Sequence, residues 1–169
     1  KDMLIAKDKR SAELIKPLVG GEDIRRWVFK QNDQWLIFTR RGVEIDRYPA
    51  IKAHLSRWKE DLAPKKSKDS KRGRKPGRYE WFEIQDDVAY YEIFDGPKIV
   101  YPDIAKGPRF CLDNDRHYLA NTAYCLGSDS LYLLGILNSS LFWFAIANIS
   151  IPTEKAHGLQ IVKMCEAFA

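Results

Sequence analysis

Few side chains in this chain are spaced for chemistry. Pro102-Asp103 can open a PD-(D/E)xK arrangement, in which two carboxylates and a lysine surround Mg²⁺. That arrangement needs an acid-x-lysine on the following strand, and residues 109–126 supply none. Asp113-Asn114-Asp115 runs into Arg116, and Lys106 follows Asp103 too closely. His54, His117 and His157 are far apart, and no CxxC or HExxH spacing exists to hold a metal. Neither GxGxxG nor GxxxxGK(S/T) is present, so no dinucleotide or nucleotide loop is supported, and no GxSxG turn presents a nucleophile. The expectation is a chain with no catalytic and no metal site of its own.

Binding chemistry is better represented. Pro64 to Arg78 reads PKKSKDSKRGRKPGR, with Lys65, Lys66, Lys68, Lys71, Arg72, Arg74, Lys75 and Arg78 against Asp69 alone, a net +7. The rest of the chain holds 20 Lys and Arg against 22 Asp and Glu, a net −2, so one segment makes the whole chain basic. Such a segment is hydrophilic and self-repelling, and reads as a mobile loop between ordered elements. As a linker it would simply be solvated. As a contact it would neutralise phosphates and release their counterions, and the concentration of charge favours that reading.

The elements that must position these residues alternate helices with short strands. Ser11 suits the start of a short helix, Gly20-Gly21 breaks the chain, and Trp35–Phe38 is a compact apolar strand. Pro49 opens a helix in which Ile51, Leu55, Trp58 and Leu62 recur at steps of four, three and four, ending before Pro64. Beyond the basic segment the pattern turns to β. Tyr79–Ile84, Val88–Phe94 and Lys98–Tyr101 are aromatic and β-branched, with Asp95-Gly96 as a tight turn before the last. Arg109–Leu112 and Tyr118–Leu126 follow, separated by Asp113-Asn114-Asp115. Ser130 to Ile146 is a buried helix with Ser128 or Asp129 as its cap.

Residues 130–153 carry no charge, and a membrane span needs about 20 apolar residues. Asn138-Ser139-Ser140 near the middle argues against one, because an unpartnered polar triplet is costly in hydrocarbon. In a protein core the same triplet bonds to neighbouring strands or falls at a helix break. The hydrophobic fraction of 45% is that of a globular protein and excludes wholesale disorder. Three scattered cysteines, Cys111, Cys125 and Cys165, form no disulfide framework and suggest a reducing cytoplasm. A start without Met and an end within an apolar run suggest a piece of a longer protein.

One ordered series of short motifs runs through most of the chain. It begins Lys16-Pro17-Leu-Val-Gly20-Gly-Glu-Asp-Ile24-Arg-Arg-Trp27 and continues with Trp35-Leu-Ile-Phe and Tyr48-Pro-Ala-Ile-Lys-Ala-His-Leu55. It then passes Tyr79-Glu-Trp-Phe-Glu and Pro97-Lys-Ile-Val-Tyr-Pro102, and closes with Asn121-Thr-Ala-Tyr and Leu134-Gly-Ile-Leu-Asn138-Ser139. The series resembles the TaqI-like C-terminal specificity domain of adenine-specific DNA methyltransferases and of the fused type IIG restriction-modification enzymes. More distantly it is similar to target recognition domains of type I specificity subunits.

The resemblance implies that another domain of the same chain binds S-adenosylmethionine and receives a flipped adenine in an Asn-Pro-Pro-Tyr loop. Neither that loop nor a cofactor-binding glycine motif occurs here, so no cofactor is expected in this piece. S-adenosylmethionine, and Mg²⁺ where a nuclease is fused, would belong to the parent enzyme. The basic insertion at 64–78 takes no contact from the resemblance.

The expected architecture is α+β, a twisted and mainly antiparallel sheet packed on the Pro49 and Ser130 helices, with the basic mobile loop. Residues 1–13 would lead in from an upstream domain, 14–150 form the recognition domain and 151–169 start an extension. The expected partners are double-stranded DNA and a methyltransferase domain, with no membrane. Base readers are sought where polar or planar side chains leave strand ends: Arg40, Arg41, Tyr101, Asp103, Arg109 and Asn121. Arginine suits guanine and asparagine suits adenine through paired hydrogen bonds. Two other classes fit the same residues. A module for RNA or single strands would use exposed aromatics with the basic loop, and a protein-interaction domain would set the loop against an acidic partner.

Overall fold

The computed structural model describes residues 1–30, 33–65 and 71–149, and as backbone strands 152–156 and 159–163. The architecture is α+β, divided into two compact units. The first comprises Lys1–Lys16 and Trp35–Tyr90, the second Pro17–Gln34 and Tyr91–Ala169.

In the first unit, helices α1 (Asp2–Lys7), α2 (Ser11–Leu14) and α3 (Pro49–Leu55) supply Leu4, Leu14 and Ile51 to an apolar cluster completed by Ile15, by Ile45 of a 3₁₀ turn and by Tyr48 before α3. Pro49 occupies the first turn of α3, as its fixed φ favours. The expected long helix is broken into α3, a 3₁₀ turn at Ser56–Trp58 and α4 (Lys59–Leu62). Ser56 explains the break, because its hydroxyl donates back to the Lys52 carbonyl at 2.7 Å and bends the helix there. Trp58 is consequently 46% exposed. Strand β2 (Trp35–Ile37) is short, and Phe38 after it donates its N–H to the Leu14 carbonyl at 2.7 Å. Ser11 lies inside α2 and not at its cap, which is Arg10.

Two expected strands are not strands. Tyr79–Ile84 is a run of turns and bends, and Val88–Phe94 leads into a 3₁₀ helix at Tyr91–Asp95. In the first case side chains occupy the backbone groups a ladder would use. The Trp81 and Glu83 carbonyls accept from the Arg74 guanidinium, the Phe82 carbonyl accepts from the Thr39 hydroxyl, and Glu83 bonds the N–H groups of Glu80 and Gly42.

The second unit is built on β3 (Lys98–Pro102), buried along its whole length. It pairs antiparallel with β5 (Cys111–Asp113) on one side and β7 (Ala123–Leu126) on the other. This unit also contains a second antiparallel sheet, in which β9 (Leu159–Lys163) lies between β4 (Ile104–Ala105) and β8 (Pro152–Ala156). Strand β1 (Ile15–Val19), along which the chain passes from the first unit to the second, pairs in parallel with β6 (Tyr118–Leu119) through Leu18 and Val19.

The expected long apolar helix is two helices, α5 (Leu131–Leu137) and α6 (Ser140–Ile149), bent by 58° at Asn138-Ser139. No helix among the described residues is alone long and apolar enough to cross a membrane. The cap of α5 is Ser130, whose Oγ accepts from the Leu133 N–H at 3.2 Å, and not Ser128 or Asp129. Leu134, Leu137, Ile146 and Ala147 of these helices join Ile99, Tyr101 and Phe110 in the main core. The sheet is thus packed by α5 and α6, whereas α3 buries Ile51 in the first unit's own cluster.

Candidate nucleic-acid interface

In the first unit the ends of the basic segment are anchored. Pro64 bridges to Arg74, the Lys65 N–H donates to the Arg74 carbonyl at 3.0 Å, and the Arg74 N–H donates to Ala63 at 2.9 Å. Lys66 and Lys68 lie outside the described residues. Arg74 is half-buried, and its guanidinium donates to the carbonyls of Leu62 (2.5 Å), Trp81 (3.2 Å) and Glu83 (2.7 Å). It also lies over the Tyr79 ring, 4.8 Å from the centroid. Arg41 lies 5.5 Å from the same centroid and donates to the carbonyls of Arg78 and Gln85 at 2.5 and 2.9 Å. Both arginines hold the irregular 78–85 segment by satisfying its carbonyls, so their forks are engaged where a base reader's would be open.

The other cations of this region differ among themselves. Arg72 is exposed but ion-paired, at 2.6 Å to Glu60 and 3.3 Å to Asp61 of α4. Lys71, Lys75, Arg78 and Arg40 are exposed, and Lys65 is half-buried. Trp58 is exposed beside them in sequence, and the Lys59 ammonium lies 5.4 Å from the Trp81 ring centroid.

In the second unit, Gly21, Glu22, Pro102, Asp103, Ile104, Arg109 and Thr122 line a cleft of about 450 Å³. Gly21 shapes it. Its N–H donates to the Thr122 hydroxyl at 3.0 Å, and a Cβ there would lie 2.2 Å from the Thr122 carbonyl oxygen. Only glycine permits that approach. Asp103 is locked to the same turn by its N–H on the Thr122 carbonyl at 2.8 Å. Arg109 is half-buried in the cleft wall, and Asn121 is exposed beside Thr122 in the turn between β6 and β7. Tyr101 is a core residue and not a groove reader. It is 4% exposed, and its ring stacks on Tyr124 with centroids 5.9 Å apart.

A two-residue hairpin projects from this unit at Arg25–Val28. Arg25 and Val28 exchange backbone hydrogen bonds at 2.9 and 3.4 Å, flanked by the Ile24–Phe29 bridge. Arg26 and Trp27 form the tip. Trp27 has φ = 75° and is 50% exposed. The tip is fastened to the core, since the Trp27 N–H donates to the Phe110 carbonyl at 2.9 Å and Arg26 donates to the Asn138 carbonyl at 2.8 Å. Asn138 is fully buried and pins Phe110 on both sides, accepting from its N–H at 3.1 Å and donating to its carbonyl at 2.8 Å. The polar triplet thus resolves as both a helix break and a bond to the neighbouring strand segment.

The second unit also buries an ion pair that the motif pattern gave no reason to expect. Lys98 and Asp113 are strand neighbours in register, both fully buried, with Nζ 2.5 Å from Oδ2. Lys98 donates further to the Phe94 carbonyl at 3.0 Å, and Asp113 accepts from the Asp115 and His117 N–H groups and from His117 Nδ1. Burial pushes the Asp113 carboxyl up, but the hydrogen bonds from His117 and Lys98 and the Lys98 charge outweigh it and hold it below the usual range. Asp113, Asp115 and His117 present ligand atoms within 4.8 Å of one another. The Lys98 ammonium already supplies the cation there. Cys111 beside this pair is buried, and desolvation followed by the Asp113 charge pushes its thiol up to about 12. Burial likewise raises Cys125, so neither is a nucleophile near neutrality.

A family model described as the TaqI-like C-terminal specificity domain matches residues 16–164, which take in both the cleft and the basic segment. No curated protein matches the chain.

Proposed function

We propose, from the premise that this chain belongs to the TaqI-like C-terminal specificity domain family, that it reads a base sequence in duplex DNA and positions the site for an adenine methyltransferase domain of the same protein. The family is one of DNA target recognition in restriction-modification enzymes, and a specificity domain is not itself catalytic. The observation that carries the finer reading is the cleft of the second unit, where Arg109 lines the wall and Asn121, exposed, precedes the lining Thr122 in the chain; both offer forked hydrogen-bonding groups. Such groups distinguish guanine and adenine in the major groove. Lys71, Lys75, Arg78 and Arg40 suit the sequence-independent phosphate contacts that accompany readout.

The proposed partner within the chain finds support in α5 and α6. Leu131, Tyr132, Leu141 and Phe144 are 68–81% exposed, an apolar surface of the kind that larger assemblies cover. S-adenosylmethionine, and Mg²⁺ where cleavage is fused, are assigned to other domains of the parent, working in the cytoplasm.

The test uses the full-length protein and a library of near-cognate duplexes. Arg109→Ala or Asn121→Ala is expected to change which sites are methylated, losing about 1–3 kcal/mol of discrimination at one base pair. Non-specific affinity and melting temperature should hardly move. Unchanged site preference in both folded variants removes the cleft from the reading surface. Stronger binding of single strands or RNA than of duplex in competition favours a stacking module instead.

A further inference from the structure

Trp27 occupies a position that its own side chain makes unfavourable. It is the second central residue of a two-residue turn, with positive φ, while Arg26 before it has none. That is the geometry a type II turn reserves for glycine or asparagine. A bulky residue in the left-handed region is a conformational outlier. Nor does burial compensate, because half of the Trp27 surface faces solvent and Val28 beside it is 57% exposed. Strained backbone of this kind persists where the surroundings over-determine it, and it clusters at sites that act on something.

The surroundings here do over-determine it. The Phe110 carbonyl accepts from both the Trp27 N–H and the Asn138 side chain, and Arg26 is tied to the Asn138 carbonyl. Arg25 is held at its base by the Glu22 and Ile24 carbonyls at 2.6 and 2.9 Å. Two hydrogen bonds to buried residues thus fix the backbone from which the exposed indole projects, with two arginines beside it in the turn. Arg26 lies 5.4 Å from the Trp27 ring centroid. A planar apolar group with one guanidinium at its ring and a second arginine in the same turn matches the chemistry of a DNA base stack bordered by phosphates. Phe110 also follows Arg109 directly, so the tip is fastened to the segment that lines the proposed reading cleft.

We infer that Trp27 is a DNA wedge: its indole presses against a base step of the bound duplex, and Arg25 and Arg26 meet the flanking phosphates. This deepens the proposed function and rests on it. Wedges of this kind pay for partial unstacking with a deformed duplex that contacts more protein, and they make specificity sensitive to how easily a step is opened.

The test is Trp27→Gly in the full-length protein, with Trp27→Phe beside it. Glycine relieves the backbone strain, so the melting temperature is expected to hold or rise, while affinity for the cognate duplex falls about tenfold. Phenylalanine restores most of that affinity. A 2-aminopurine placed at successive steps of the site should brighten at one step with the wild type and not with Trp27→Gly. Wild-type affinity in Trp27→Gly, or an affinity loss matched by a fall in melting temperature, overturns the wedge and leaves duplex recognition standing. A wild-type protein with no preference for duplex DNA overturns both.

Discussion

Both units bring cationic side chains inside, but they satisfy them with opposite kinds of partner. In the first, Arg41 and Arg74 spend their N–H groups on backbone carbonyls of an irregular segment and stay half-exposed. In the second, Lys98 is fully buried against the Asp113 carboxylate inside a sheet. A carbonyl takes the donors and leaves the charge, so the first arrangement keeps a positive surface while fixing geometry. A carboxylate cancels the charge, which lets the ammonium be fully buried without losing its proton. The contrast also divides the basic segment. Its +7 counts Arg72, neutralised by Glu60 and Asp61, and Arg74, engaged as a structural clamp. The cations exposed to a polyanion are fewer than the sequence count.

The comparison breaks most visibly at the buried pair. Replacing Lys98 with Met or Asp113 with Asn strands one partner, and the loss expected in denaturant unfolding is about 3–5 kcal/mol. Pairing Lys98→Met with Asp113→Leu should recover much of it. The pH dependence has a definite sign. The Asp113 pKa is lowered by folding, so its contribution is full above the ordinary carboxyl range and is lost as pH falls through the lowered value. Asp113→Asn should flatten that acid limb, as thermal melts against pH will show.

Asn138→Ala comes next. It removes two buried hydrogen bonds to Phe110, and about 2–3 kcal/mol of stability should go with them. Arg74→Ala is expected to cost about 1–2 kcal/mol, less because the site is half-exposed, and Arg74→Lys should not rescue it because an ammonium cannot span three carbonyls. Smallest in stability are Lys75→Gln and Arg78→Gln, within about 0.5 kcal/mol of wild type. Their effect belongs in the salt titration of DNA binding, where each should reduce the slope of log affinity against log salt by about one. An Arg74 variant that altered only the salt slope, or a Lys75 variant that unfolded, would reverse the assignment of clamp and contact.

Much of this was legible in the residues. Runs of branched and aromatic side chains bounded by turn signals marked β3, and Pro49 marked the start of α3. Those features are local, since proline geometry, turn chemistry and apolar content act within a few residues. The family series was legible for the same reason, as an order of short motifs. But the expected strand Tyr118–Leu126 is divided into β6 and β7. The uncharged run around Asn138-Ser139 is two helices that leave Leu131, Tyr132, Leu141 and Phe144 exposed where one buried helix was expected.

What only the tertiary structure decided is where each group's partner lies. Tyr79–Ile84 has the composition of a strand, yet a strand exists only if another backbone takes its hydrogen bonds, and here the Arg74 guanidinium and the Thr39 hydroxyl take them first. Tyr101 and Arg109 look alike in the sequence as strand-end candidates. The packing of α5 and α6 covers Tyr101 and leaves Arg109 at the cleft. Trp27 reads as an ordinary apolar residue until its φ and its bond to Phe110, 83 positions away, are known. Propensity is set by a residue's neighbours in the chain, whereas exposure, pairing and strain are set by contacts that close only when distant segments meet.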